Sequence, residues 1–124
     1  MNKLAEKHCV PCRGGIPPLT REELAPLLAQ IDPEWTMNAG RDAKRREYTS
    51  LVRTFGFDEF KDAMEFAKRV GQMAEEEQHH PDLHVAWGRV TVEIWTHKIQ
   101  GLTESDVIFA AKCDTLYATR NEAG

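Results

Sequence analysis

The stretch "HHPDLHVAWGRVTVEIWTH", residues 79–97, decides how the chain folds. Its second half alternates: Val90, Val92 and Ile94 fall on one side, and Thr91, Glu93, Trp95 and His97 on the other. Such a period of two marks a strand with one buried face. Trp87-Gly88 marks a turn, so the residues before it read as the other arm of a β-hairpin. Pro81 stands at the head of that hairpin. A proline pushes the residue before it out of helical geometry, so any helix arriving from upstream must stop at His79-His80.

Upstream, Phe60, Ala63, Met64, Ala67, Val70 and Ala74 recur at helical spacing and mark the buried stripe of a helix running to about Gln78, with Asp58 as its N-cap. Before it, "WTMN" (35–38), a turn at "AGRD" (39–42) and "REYTSLVRTFGF" (46–57) read as a first hairpin. In its second strand Leu51, Phe55 and Phe57 share a face, with Arg53 interrupting. A shorter helix precedes it. Thr20 and Glu23 have the capping-box spacing, Leu19 and Leu24 the staple positions, and Leu24, Leu27, Leu28 and Ile31 follow until "DP" at 32–33. Pro26 should weaken or bend this helix by removing a backbone donor. Downstream, Thr103 with Asp106 and Leu102 with Val107 repeat the cap and staple of a last helix. The order α-β-β-α-β-β-α predicts an α+β fold, a four-stranded antiparallel sheet with three helices packed on one face. Residues 1–18, rich in Gly and Pro, read as an irregular arm.

The 124 residues fit one domain, and 41% hydrophobic with 29% charged residues is a globular composition. A net charge of −4 argues against nucleic acid as a partner. The basic run "RDAKRR" at 41–46 reads as a solvated turn. No apolar run reaches the roughly 20 residues that cross a bilayer, no secretory signal opens the chain, and three cysteines make no disulfide framework. The cytoplasm is the expected setting.

Three of the five histidines fall within residues 79–84. Glu75 precedes His79 by four, so the two meet on one face if the helix persists that far. His97 shares a face with Trp95 and approaches the same junction if the second hairpin closes. Three readings compete: surface histidines at a helix end, a metal site, and general acid–base catalysis by imidazoles. Against metal, His80 and His84 have helical ligand spacing where Pro81 ends the helix. His8, Cys9 and Cys12 form a further set, but zinc needs a fourth ligand and no second pair exists. Cys113 reads as buried in the last helix. A flexible or edge-packing arm is the simpler expectation for residues 1–18.

Glu75, three residues, His79-His80-Pro81, five residues, Trp87, nine residues, His97, eight residues and Asp106 form one continuous pattern. It resembles the signature of the pterin-4a-carbinolamine dehydratases, and "GLTESD" with Arg53-x-Phe55-x-Phe57 resembles the bacterial members. The similarity spans residues 19–118, leaving 119–124 as a tail. The resemblance implies a compact α+β subunit that assembles into homodimers or homotetramers. It also implies dehydration of 4a-hydroxytetrahydrobiopterin to quinonoid dihydropterin and water, in tetrahydrobiopterin recycling with aromatic amino acid hydroxylases such as phenylalanine hydroxylase. No metal or organic cofactor is implied.

The family's catalytic histidines fall on His79, His80 and His97, with His79 and His97 expected to move protons and His80 to hold the substrate. Glu75, Pro81 and Trp87 are the expected binding or orienting residues. Glu75 is expected to orient His79 or to hydrogen-bond the site, Pro81 to set the conformation, and Trp87 to pack as core or cleft wall. Asp106 is expected to be a structural cap, and His84, outside the signature, a surface strand residue. The alternative is a non-catalytic interaction module on the same fold, since some animal relatives bind a transcription factor and stabilise its dimer.

Overall fold

A computed structural model describes residues 3–10 and 16–120 of the chain. Helix α1 (Arg21–Leu28) leads into strands β1 (Thr36–Arg41) and β2 (Glu47–Gly56), and helix α2 (Phe60–Glu77) follows. Strands β3 (Asp82–Ala86) and β4 (Arg89–Ile94) and helix α3 (Glu104–Ala118) complete the expected order. The strands form one antiparallel sheet, β1-β2-β4-β3.

The alternation at 89–94 decides the layering. Val90, Val92 and Ile94 are fully buried, paired across the ladder with Phe55, Arg53 and Leu51 of β2. These side chains meet Ala63, Phe66, Val70 and Ala74 of α2 and Val107, Ile108 and Ala111 of α3, so the helices cover this one face. Each buried Val or Ile contributes at most about 1.5–3 kcal/mol. Arg53 does not break the face. Its Nη1 lies 2.7 Å from Asp114 Oδ1 of α3, and its guanidinium sits 4.3 Å over the Phe55 ring, so the charge is paired where it is buried. Burial raises the Asp114 carboxyl although Trp35 Nε1, the Asp32 N–H and Arg53 all favour its charged form.

Several local expectations are corrected. The first hairpin turns at 42–46, not 39–42. Asp42 organises it, its Oδ1 accepting from the N–H groups of Lys44 and Arg46 at 2.9 Å each, with Arg45 left-handed at φ 64°. The basic run is that turn. Helix α2 has Glu59, not Asp58, at its N-cap, with no side-chain bond there. Phe60 and Met64 point outward and Phe66 takes the buried position. Helix α1 carries Pro26 and ends two residues later, and Ile31 is buried in the turn beyond it.

The arm is less irregular than its composition suggests. Lys3–Glu6 form a 3-10 helix with Leu4 buried. Lys112 Nζ donates to Ala5 O at 2.8 Å, Cys9 N–H to Glu77 Oε1 at 2.8 Å, and Val10 N–H to Ser105 Oγ at 2.8 Å. Residues 3–10 thus strap the end of α2 to the start of α3.

Candidate active site

Pro81 forbids a helical His80, and α2 ends at Glu77 with Gln78 as a left-handed cap, φ 52°. That residue redirects the chain. The N–H groups of Gln78 and His79 both turn back to Ala74 O, and the His79 side chain leaves the helix toward the first turn of α3. There its Nε2 lies 2.6 Å from Asp106 Oδ1.

Asp106 is fully buried, and its other oxygen accepts from Thr96 Oγ1 and from the Thr103 N–H, each at 2.8 Å. The Thr103 bond is the expected cap. The bonds to His79 and Thr96 are additional, and sequence reasoning missed them. Three donors offset the cost of burying this carboxylate. An ionised carboxylate only accepts, so His79 Nε2 carries a hydrogen and Nδ1 is left to exchange protons. Edge contact with Phe109, centroids 6.0 Å apart, borders the ring further.

Glu75 does not steer His79. It pairs with His80 Nε2, and both side chains are largely exposed. The expected i, i+4 contact needs the helix to run two residues further, to His79, and the left-handed Gln78 stops it. His97 also differs from expectation: β4 ends at Ile94, and His97 lies in the turn closed by the Thr96–Gly101 bridge. Its ring stacks on Trp95 at 4.2 Å and 4°.

The segments that carry the three imidazoles leave the sheet at one end, His79 and His80 ahead of Asp82 of β3 and His97 after Ile94 of β4. Asp82 of β3 pairs with Glu93 of β4. Continued past Asp82, that register runs His80 opposite Trp95 and His79 opposite Thr96, in agreement with the Asp106 bridge between His79 and Thr96. His79 therefore stands on the α3 side, and the Trp95–His97 pair on the open face of the sheet. Trp87 is not brought to them. It sits at the tip of the β3–β4 hairpin, at the far end of the ladder, and is 71% exposed rather than part of a core or cleft wall. His84 is an exposed residue of β3.

Among the described residues no group of three or more His, Cys, Asp or Glu side chains is arranged to hold a metal ion. Cys12 lies outside them. His8 Nδ1 is instead engaged with Glu77 at 3.1 Å, and Cys9 Sγ with Ser105 O at 3.4 Å. Burial, then the Glu77 charge, pushes the Cys9 thiol up to about 12, so it is not a nucleophile in this setting. Cys113 is buried in α3 as expected. No helix among the described residues is long and apolar enough to cross a membrane.

Comparison with known proteins places this geometry. Residues 17–116 match the family model described as pterin 4 alpha carbinolamine dehydratase. A protein of Rubrobacter xylanophilus is 49% identical, covering 94% of this chain and 100% of its own. One of Methylococcus capsulatus is 50% identical, covering 93% and 94%. Both carry the name "Putative pterin-4-alpha-carbinolamine dehydratase". Among solved structures, a transcriptional coactivator/pterin dehydratase from Brucella melitensis superposes with TM-score 0.68 at 31% identity, over 81% of this chain and 98% of that one. A pterin dehydratase-like RuBisCO assembly factor of the alpha-carboxysome shares the fold at TM-score 0.54 and 19% identity, over 68% of this chain and 89% of that one. The match runs through the histidine pair, the β3–β4 hairpin and the Asp106 turn, and the chain belongs to the pterin 4 alpha carbinolamine dehydratase family.

Proposed function

We propose that the protein dehydrates 4a-hydroxytetrahydropterin to quinonoid dihydropterin and water, by acid–base catalysis on His79 and His97 with His80 holding the substrate. In this reaction the C4a–O bond breaks, N5 gives up its proton, and a C4a=N5 double bond forms. Hydroxide is a poor leaving group. One imidazolium protonates the departing oxygen while a neutral imidazole takes the N5 proton, so the enzyme ends with its proton count unchanged. Neither an electron acceptor nor a metal is called for by that balance.

The observation that carries this reading is the His79–Asp106 pair. A buried carboxylate that fixes one nitrogen of a partly exposed imidazole is the arrangement that orients an acid–base group. Glu75 is the corresponding partner of His80. Pro81 keeps the helix end open, and the proposal gives Trp87 no part in the site of its own subunit. The proposed setting is the cytoplasm, as a homodimer or homotetramer, in tetrahydrobiopterin recycling beside an aromatic amino acid hydroxylase such as phenylalanine hydroxylase.

The rival is an interaction module, and the Brucella protein, described as a transcriptional coactivator as well as a pterin dehydratase, supports it. Such a module has no need for a buried acid aimed at His79. Ultraviolet absorbance during dehydration of freshly made 4a-hydroxytetrahydropterin distinguishes the two. The proposal expects acceleration by the wild-type chain and losses of about 10²-fold or more in His79→Ala and in His97→Ala, with the fold kept. No acceleration by the wild-type chain overturns it.

A further inference from the structure

His79 and His80 are each held by a carboxylate, but His97 is not. Among the described residues neither ring nitrogen of His97 has a hydrogen-bond partner, and the ring is exposed. Its backbone is fixed: the Thr96 N–H bonds Gly101 O at 2.9 Å and the Ile99 N–H bonds Thr96 O at 3.2 Å. A fixed backbone leaves both side-chain torsions free. What restrains them is the face-to-face contact with Trp95.

Trp95 is itself buried to 7% exposure, and Tyr48 stacks on it at 4.3 Å and 11°. Tyr48 in turn fills the space over Gly40, its cross-strand partner in β1, where an added Cβ would lie 2.6 Å from Tyr48 Cζ. Burial first, and then the neighbouring Glu93 charge, raises the Tyr48 phenol, so it stays neutral in the stack. One column of Gly40, Tyr48, Trp95 and His97 therefore crosses the open face of the sheet and ends on an imidazole.

We propose that Trp95 is a positioning residue for His97, with Tyr48, seated over Gly40, setting Trp95. The indole does for His97 what Asp106 does for His79. It fixes the ring plane while leaving both nitrogens available. This rests on the reading that His97 takes part in the dehydration.

The test uses the full chain and three variants. Trp95→Phe keeps a flat stacking surface, whereas Trp95→Leu keeps an apolar filling without one. Gly40→Ala acts from a distance, since its methyl, carried on the edge strand β1, displaces the far end of the Tyr48 ring, and it guards against a Trp95→Leu form that fails to fold. The first readout needs no activity. The His97 ring-proton resonances, assigned by their loss in His97→Ala, are expected upfield in the wild type, to stay so in Trp95→Phe, and to move downfield in Trp95→Leu and partly in Gly40→Ala. In the dehydratase assay Trp95→Leu is expected to lose roughly 10- to 100-fold in kcat with KM within about twofold, and Trp95→Phe to recover most of it. Unshifted His97 resonances in the wild type, or full kcat in Trp95→Leu and Gly40→Ala, overturn the positioning role. An inactive wild type with the upfield signals in place fails differently: it removes the proposed reaction, and the positioning role with it, while leaving the stack.

Discussion

Replacing Asp106 by asparagine tests the site at its most constrained point. Oδ1 receives His79 Nε2 at 2.6 Å, and Oδ2 receives Thr96 Oγ1 and the Thr103 N–H at 2.8 Å each. An amide has one acceptor end and one donor end. The Thr103 N–H cannot become an acceptor, so the amide oxygen must take the Oδ2 place and the NH2 group must face His79. His79 then has to present a lone pair at Nε2 and carry its hydrogen on Nδ1, the reverse of the wild-type tautomer. The stability cost follows from weakening bonds to a charged acceptor, worth about 1.5–3 kcal/mol each, to neutral ones near 1 kcal/mol, partly offset because a buried charge is removed. A net loss of about 2 kcal/mol lowers Tm by about 6–12 °C in a domain of this size. Activity should fall further than stability implies, by about 10²-fold or more, because Nδ1, the nitrogen left for the substrate, then carries a hydrogen in place of its lone pair. Nitrogen-15 chemical shifts of the imidazole read the tautomer directly, beside thermal unfolding and the absorbance assay. Asp106→Asn with the hydrogen still on Nε2 and kcat unchanged would refute the assignment of Asp106 as the orienter of His79.

The other expectations concern the ends of α2 and the strap. Gln78→Gly removes the cost of a left-handed φ of 52° and should stabilise the fold by about 1 kcal/mol, or about 3–6 °C in a thermal melt; an unchanged Tm would mean that the turn carries no strain. Burial alone would raise the Glu77 carboxyl, but bonds from the Cys9 N–H and His8 outweigh it and leave the group below its ordinary value of 4.5. A depressed carboxyl contributes stability that is present above that value and is lost as the pH falls through the folded value. Amide exchange at Cys9, corrected for its intrinsic rate, should therefore show protection at pH 6 and lose it in acid; equal protection throughout would contradict the Glu77 latch. With its thiol buried and pushed up to about 12, Cys9 should resist iodoacetamide at pH 8 until the chain is unfolded, as read site by site by mass spectrometry. Rapid native labelling would show that the strap is not docked.

The fold was legible wherever a local signal agreed with burial. The Val90, Val92 and Ile94 alternation, the Thr20 and Thr103 caps and the Trp87-Gly88 turn all reappear. Errors arose where two residues offered the same local signal. Phe60 and Phe66 both suit a helix stripe, and only packing against Phe55 and Phe57 selects Phe66. Asp42 overrode the turn suggested by Ala39-Gly40 because its carboxylate binds two backbone N–H groups, while Gly40 instead makes room for Tyr48.

At the site, spacing identified the histidines but not their partners. Glu75 stands four residues before His79, yet the left-handed Gln78 hands it to His80. Asp106 was readable as a cap, but its second face toward His79 and Thr96 depends on how α3 meets the end of β4. The Trp95–His97 relation was half visible, as two residues on one strand face. Tyr48 carried no signal, since it reaches Trp95 only through strand pairing.

The central claim is that imidazoles of this chain move the two protons of a pterin carbinolamine dehydration. Its most direct measurement is the rate at which 4a-hydroxytetrahydropterin decays with wild-type protein, against buffer and against the His79→Ala, His97→Ala double variant. The account predicts a large acceleration by the wild-type chain, still present with a chelator added, and decay at the buffer rate with the double variant. A double variant that matches the wild type, or a wild type no faster than buffer, would contradict it.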